Sequence, residues 1–168
     1  VAVYAVSNSK MSTTYSVNIR PVAVPTDSAS IARGRHIAIT RGCGDCHGPN
    51  MSGGTVVDGP FFVGYIYGPN LTKGKGGKGA AKKDIDWVRA IRYGLDAHGK
   101  ALTVMPSNEY YFMSDPDLGA LISYLKSLPP VDNAMPSSSL GPLLRTLYLA
   151  GEVQLAAEKI NYTAPRPT

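Results

Sequence analysis

Cysteine is scarce in this chain of 168 residues, with only Cys43 and Cys46 present. At most one disulfide could form between them, so the disulfide-stapled scaffolds are excluded. Long apolar runs are also lacking: the run over residues 1–6 stops at Ser7, whereas a spanning helix needs about 20 apolar residues. The charge excess of +5 is mild and does not by itself indicate nucleic-acid binding.

Glycine and proline are abundant, at 18 and 13 residues, which predicts long loops and tails around one ordinary domain. We predict an N-terminal extension over residues 1–26, a central domain over 27–131, and a linker, helix and tail over 132–168. The linker is the Pro/Ser-rich stretch 131–142, and the apolar periodicity after it predicts one helix over 143–160.

The apolar run over residues 1–6 has two interpretations. It is an N-terminal strand or disordered start, or it is the end of a membrane anchor or signal segment. We favour the anchor because a polar break followed by Lys10 is how an apolar span leaves a bilayer. Residues 11–25 are polar and β-branched with two prolines, which predicts an extended connector.

The one motif that carries chemistry is CxxCH, formed by Cys43, Cys46 and His47. Its spacing lets two thiols add to the vinyl groups of a haem while the adjacent imidazole binds the iron, so it predicts one covalently attached haem c. A structural zinc site would need further Cys or His ligands at paired spacing, which the other two histidines do not supply. A thioredoxin-type CxxC gives no reason for the following His.

A second axial iron ligand is predicted at Met105, which precedes Pro106 in an extended segment far enough from His47 to pass around a haem. Met51 is too close to His47 to reach the opposite haem face. Met113 precedes a helix start and is assigned to the core. His98 is the remaining alternative, as an axial ligand or as an exposed turn residue beside Gly99.

Residues 28–131 resemble the class I monohaem cytochromes c. The matching pieces include the CxxCH motif, Gly-Pro-Asn-Leu-Thr at 68–72, Trp87, Met105 with Pro106, and the apolar helix at 118–125. The resemblance is strongest to the haem domains of membrane-bound bacterial complexes, such as dehydrogenase cytochrome subunits or alternative complex III. It implies an all-α fold, with helices and loops around one haem.

The resemblance also implies individual roles. The Pro69 carbonyl would accept the Nδ1 proton of His47, Tyr110 would pack near the haem edge, and Trp87 and Arg92 would bind the haem propionates. For Trp87 the alternative is a core residue, and for Arg92 a solvated surface position. The family's main helix contact would join a helix capped by Asp27 or Ser28 to the later helix, crossing at Gly34.

Residues 73–83 are rich in glycine and lysine and predict a flexible basic loop. It lacks the preceding strand of a dinucleotide site and the spacing of a Walker A loop. It is a solvated loop or, alternatively, a docking patch for an acidic redox partner or lipid phosphates.

These observations predict one-electron transfer by a His/Met-ligated haem, with no open iron site for a substrate. The expected protein is a non-catalytic, membrane-tethered subunit of a respiratory or photosynthetic complex, on the periplasmic or extracytoplasmic face of a bacterial inner membrane. Its partners would be redox proteins and not nucleic acid. The alternatives are a soluble cytochrome c shuttle and a haem peroxidase or gas-binding module.

Overall fold

The computed structural model describes residues 2–165, which form eight helices and three short strands. The helices are α1 (Ala2–Met11), α2 (Ser28–Thr40), α3 (Cys43–His47), α4 (Asp84–Tyr93), α5 (Ser107–Tyr110), α6 (Asp115–Ser127), α7 (Pro142–Ala150) and α8 (Ala156–Lys159). The strands are β1 (Gly54–Asp58), β2 (Gly64–Gly68) and β3 (Ser139–Leu140).

Helices α2 and α6 make the largest helix contact of the fold. Asp27 caps α2 by accepting a hydrogen bond from the Ser30 N–H at 2.9 Å, and Ser114 caps α6 through the Asp117 N–H. A Cβ at Gly34 would lie 1.9 Å from the Ala120 carbonyl oxygen and 2.8 Å from Tyr124 Cβ. The predicted crossing at Gly34 is therefore confirmed, because the backbones approach too closely for any side chain there.

The expectation of an all-α fold is wrong in one region, where β1, β2 and β3 form an antiparallel sheet in that order. β1 and β2 make a hairpin with a bulge between Thr55 and Val57, and β3 pairs with the start of β2. β-branched and aromatic residues bounded by glycines favour such strands. The hairpin lies between the CxxCH motif and Pro69, while the rest of the fold is mainly helical.

The single helix expected over residues 143–160 is also wrong. α7 ends at Gly151, whose φ of 84° is left-handed and closes the helix. A separate short helix, α8, begins after Leu155, whose N–H donates to the Glu158 carboxylate at 2.8 Å. The break lets Ala157 of α8 and Ile160, just after it, be buried in the main core. The C-terminal extension and the central domain therefore share one hydrophobic core.

The N-terminal segment is a ten-residue helix, α1, that packs along α7. A strand or disordered start is therefore wrong for residues 2–6, while Val1 lies outside the described residues. Arg145 on α7 donates to Ser7 Oγ and Asn8 Oδ1, each at 2.7 Å, and its guanidinium lies 4.4 Å from the Tyr4 ring centre. Among residues 2–165, no helix is long and apolar enough to cross a membrane.

We expect Arg145→Met to release α1 from α7, because the apolar stem is kept while the hydrogen bonds to Ser7 and Asn8 are lost. A hydrogen bond from a charged donor contributes about 1.5–3 kcal/mol, so amide exchange in α1 should accelerate about tenfold or more. Hydrogen-exchange mass spectrometry measures this directly. Thr146→Met, at an exposed neighbouring position, is the control, and equal exchange in both variants would contradict the docking role of Arg145.

The backbone of the basic loop, residues 73–83, packs closely against residues 131–134. A Cβ at Gly74 would lie 2.2 Å from the Val131 carbonyl oxygen, and one at Gly76 2.6 Å from the Ala134 Cα. The Lys75 N–H also donates to Asp132 Oδ1 at 2.7 Å. The glycines are therefore needed for the close approach to residues 131–134.

Candidate functional site

The CxxCH motif forms one short helix, α3, entered through Gly42 in a left-handed conformation with φ of 65°. Cys43 and Cys46 carry free, half-buried thiols, and burial raises the pKa of the Cys43 thiol. One helical turn therefore presents both thiols next to His47. This is the arrangement that the motif spacing predicts.

His47 is buried, and its Nδ1 lies 2.9 Å from the Pro69 carbonyl oxygen. Because a carbonyl only accepts hydrogen bonds, Nδ1 carries the proton and Nε2 keeps its lone pair for a metal. Burial lowers the pKa of His47, although the bond to Pro69 acts in the opposite direction. The ring is thus held neutral and in one orientation.

Two features that hold this site were not assigned from the sequence. A Cβ at Gly68 would lie 2.0 Å from the Cys46 carbonyl oxygen, so glycine is required where β2 crosses α3. The buried Asn70 side chain donates to the carbonyls of Val131 and Asn133 and accepts from the Thr72 N–H. An Asn two residues before Thr72 is a local signal for this turn, but the sequence does not indicate the partners of Asn70 at residues 131 and 133.

Met105 packs, half-buried, against the same hydrophobic core as Cys43. Its carbonyl accepts from the Ser107 N–H at 2.8 Å, and Ser107 Oγ donates to the Ala90 carbonyl on α4 at 2.9 Å. Met105 also borders a cavity of about 380 Å³ together with Ile66 and Tyr148. The segment is therefore held in place from α4, and none of Cys43, Cys46 and His47 lines the cavity that Met105 borders.

Trp87 and Arg92 both lie on α4 and are buried, Trp87 being 2% and Arg92 0% exposed. Within the described part of the chain, Trp87 Nε1 and Arg92 Nε have no hydrogen-bond partner. A buried donor without an acceptor is costly. Each of these two N–H groups is therefore able to donate to an acceptor that is not part of the polypeptide.

The alternative that placed Arg92 on a solvated face is wrong. Its Nη2 donates to the Met113 carbonyl at 2.7 Å, and Nη1 lies 2.6 Å from the Asp115 carboxylate. Arg92 thus ties α4 to the start of α6, which leaves Nε as the donor without a partner. Binding of a haem propionate by Arg92 therefore stays a prediction, in which Nε is the donor.

Tyr110 is buried, and its hydroxyl donates to the Arg41 carbonyl at 3.3 Å. Burial, and after it the nearby Cys43 thiol, raises the pKa of Tyr110 to about 12. Tyr110 therefore lies beside the CxxCH helix, on the side of Cys43. His98 is exposed in a turn next to Gly99, with its N–H bonded to Asp96.

These residues fit a covalently bound haem. Cys43 and Cys46 offer thiols on one turn, His47 offers Nε2, and Trp87 and Arg92 offer donors suited to carboxylates. Together with the α2–α6 crossing, they define a domain of the c-type haem class.

Comparison with known proteins agrees with this class. The family model described as cytochrome c matches residues 31–129, and the chain belongs to the cytochrome c family. It therefore binds haem c covalently and transfers electrons.

Two curated bacterial relatives are similar to this chain. One is a subunit of nicotinate dehydrogenase from Pseudomonas putida, which is 30% identical over 131 residues, or 73% of this chain and 11% of the relative. The other is the gluconate 2-dehydrogenase cytochrome c subunit of Pantoea cypripedii, which is 32% identical over 121 residues, or 68% of this chain and 27% of the relative. This chain thus spans only a small part of the length of either relative.

Proposed function

We propose that this chain is the single-haem module that passes electrons one at a time between subunits of a dehydrogenase complex. The proposal rests mainly on the neutral His47 ring. Its Nδ1 lies 2.9 Å from the Pro69 carbonyl oxygen, which leaves Nε2 to bind iron. Bound haem c supplies an iron that alternates between the ferrous and ferric states. Support for a dehydrogenase setting comes from the names of the two relatives.

In this proposal His47 and Met105 would bind the haem iron, and Cys43 and Cys46 would hold the haem through thioether bonds. Support for Met105 is that it packs, half-buried, against the same hydrophobic core as Cys43, on a segment fixed to α4 by Ser107. Exposed His98 lacks such support. Both axial positions are then filled, so the protein carries electrons and does not activate a substrate at iron.

An optical spectrum of the purified holoprotein tests the ligand set. We expect a low-spin ferric form with a Met-to-iron charge-transfer band and no reaction of the ferrous form with carbon monoxide. A high-spin form that binds carbon monoxide would instead support a peroxidase or gas-binding module. Haem that stays with the chain after denaturation confirms the thioether bonds.

Trp87 tests the propionate role, because Trp87→Phe removes one N–H and keeps an aromatic ring. If Nε1 donates to a propionate carboxylate, the free energy of unfolding should fall by about 1.5–3 kcal/mol, and the pH dependence of the haem potential should change. Ile91→Val, which shrinks the same helix face without removing a donor, controls for lost volume. If both the free energy of unfolding and the haem potential are unchanged in Trp87→Phe, Trp87 is a core residue and does not bind a propionate.

We further propose that the chain works at the extracytoplasmic face of a bacterial inner membrane, tethered near its N-terminus. The domain division is proposed as 1–26, 27–131 and 132–168, with the outer parts as extensions of the haem domain. The tether is supported by the apolar residues 1–6, of which Tyr4 and Val6 are exposed on α1. Covalent haem attachment outside the cytoplasm is implied by the family resemblance.

Electron-transfer rate against ionic strength in native membranes tests the tether. A tethered carrier meets its partners at high effective concentration, so charge reversal at Lys73, Lys75 and Lys78 should alter turnover only modestly. A steep decline with salt, together with release by a salt wash, would favour a soluble shuttle.

A further inference from the structure

Lys82 comes just before α4 and is half-buried, whereas its neighbour Lys83 is exposed. The ammonium nitrogen of Lys82 lies over the face of the Trp87 ring, 5.5 Å from the ring centre. A cation at this distance is attracted by an indole ring. Trp87 Nε1 is buried and has no hydrogen-bond partner in the described part of the chain. A positive charge and an N–H donor without an acceptor are therefore side by side.

The carboxylates that act electrostatically on Lys82 are Asp86 and Asp96, and both already have other partners. Asp86 pairs with Arg89, and Asp96 accepts two backbone N–H groups of its own turn. Within residues 2–165, no ion pair or hydrogen bond joins the Lys82 ammonium group to another residue. The described polypeptide therefore supplies the aromatic face for this cation and no anion in direct contact with it.

The surroundings of the Lys82 ammonium group favour one more negative charge. Burial is the largest influence on its pKa and lowers it. Asp86 and Asp96 act in the opposite direction, whereas the cations of Arg89 and Lys78 lower the pKa further. A nearby anion offsets the cost of burying a cation, so a carboxylate placed against Lys82 would stabilise its charged form.

One carboxylate can bind both Lys82 Nζ and Trp87 Nε1. Charge-assisted hydrogen bonds to a carboxylate are about 2.7–2.9 Å long, and each of its oxygens can accept one of them. Because Nε1 belongs to the ring under the ammonium group, the two donors are close enough to share one carboxylate. The haem c that the cytochrome c family binds carries propionate carboxylates.

We propose that the Lys82 ammonium group pairs with a haem propionate, and that Lys82 and Trp87 Nε1 bind the same carboxylate. A cation in contact with a carboxylate keeps it ionised. The reduction potential should then stay constant through the neutral pH range, because the propionate takes up no proton when the haem is reduced. This proposal rests on the function proposed above, in which the chain passes electrons through its haem.

The reduction potential of the holoprotein, measured against pH, tests the pair. The potential falls with rising pH over the range in which the propionate loses its proton. In Lys82→Met the carboxylate loses its cation, so this range should move up by about 1–3 pH units. Lys83→Met is the matched control, since it removes an equal charge at the adjacent exposed position and should leave the range unchanged. Lys82→Arg keeps the charge and should retain the original pH dependence.

A double variant tests whether Lys82 and Trp87 share the carboxylate. Trp87→Phe removes the N–H and keeps an aromatic face for the ammonium group. If both donors bind one carboxylate, the pH shifts of Lys82→Met and Trp87→Phe should not add in the double variant. Additive shifts would contradict the shared carboxylate.

Equal pH dependence in Lys82→Met and Lys83→Met would overturn the proposal, because the effect would then be one of general surface charge. Titration of ¹³C-labelled lysine by NMR in the unaltered ferrous holoprotein needs no stable variant beyond Lys82→Arg, which identifies the Lys82 signal. Lys82 should lose its proton no earlier than an ordinary lysine, at about pH 10.4, and loss at clearly lower pH would also overturn the pair.

Failure of the proposed function is visible separately. A high-spin spectrum of the unaltered protein that responds to carbon monoxide would change the assigned iron ligands. The pH dependence set by Lys82 concerns the propionate and is measured on the same covalently bound haem, whichever residues bind the iron.

Discussion

Met105→Ala should yield a protein that keeps its haem through denaturation but has lost the Met-to-iron charge-transfer band. The thioether bonds at Cys43 and Cys46 and the His47 ring held by Pro69 are untouched, so attachment is retained. Loss of the soft axial donor should lower the reduction potential by on the order of 0.1 V or more, within the roughly 0.8 V that axial ligands span. Carbon monoxide should then bind the ferrous form.

The matched control is Met113→Leu, at a methionine that is buried in the core and has no proposed ligand role. That variant should keep the spectrum and shift the potential only slightly. An unchanged spectrum in Met105→Ala would move the second ligand to another residue, and His98→Ala would then be the next variant to measure.

Gly34→Leu should cause a large loss of stability, because its Cβ alone would lie 1.9 Å from the Ala120 carbonyl oxygen. This neighbour is backbone and cannot rotate away, so α2 and α6 must separate. Overpacking of this kind costs about 1–3 kcal/mol and sometimes more, and we expect a value at the upper end. For a chain of this size the melting midpoint falls by about 2–4 °C per kcal/mol.

Ala32→Leu is the control, since Ala32 lies on the exposed face of the same helix. It should leave the melting midpoint nearly unchanged. The haem spectrum should be intact in both folded variants at low temperature. A melting midpoint for Gly34→Leu equal to that of the control would contradict the close α2–α6 crossing.

The chemistry of the site was predictable because it is local in the sequence. CxxCH places two thiols and an imidazole within five residues, so the geometry of one helical turn is enough to bring them together. The cap of α2 was predictable to within one residue, as Asp27 or Ser28, since a cap satisfies N–H groups only two or three residues away. The proposed roles of Met105, Trp87 and Arg92 depend on long-range packing and still require measurement.

The extensions were least predictable. Residues 143–160 have a helical apolar pattern, but Gly151 permits a left-handed turn that ends α7, and burial of Ala157 and Ile160 in the main core selects it. The glycines at 74 and 76 suggested flexibility, yet contacts with residues 131–134 use their lack of a side chain for close packing. Glycine is compatible both with a flexible loop and with close packing. Only the position of the neighbouring backbone decides between the two.

The amino-acid sequence by itself thus determined the haem attachment motif and the start of α2 near residue 27, because both depend on residues within a few positions of one another. The crossing at Gly34 was expected from the family resemblance, and the structure supplied its partner, the Ala120 backbone. Only the tertiary structure decided that the β1–β2 hairpin crosses α3 at Gly68, that Arg92 is buried against Asp115, and that α1 packs on α7 through Arg145. Such contacts join residues far apart in the chain, and local preferences do not encode which distant backbone or charge will be the partner.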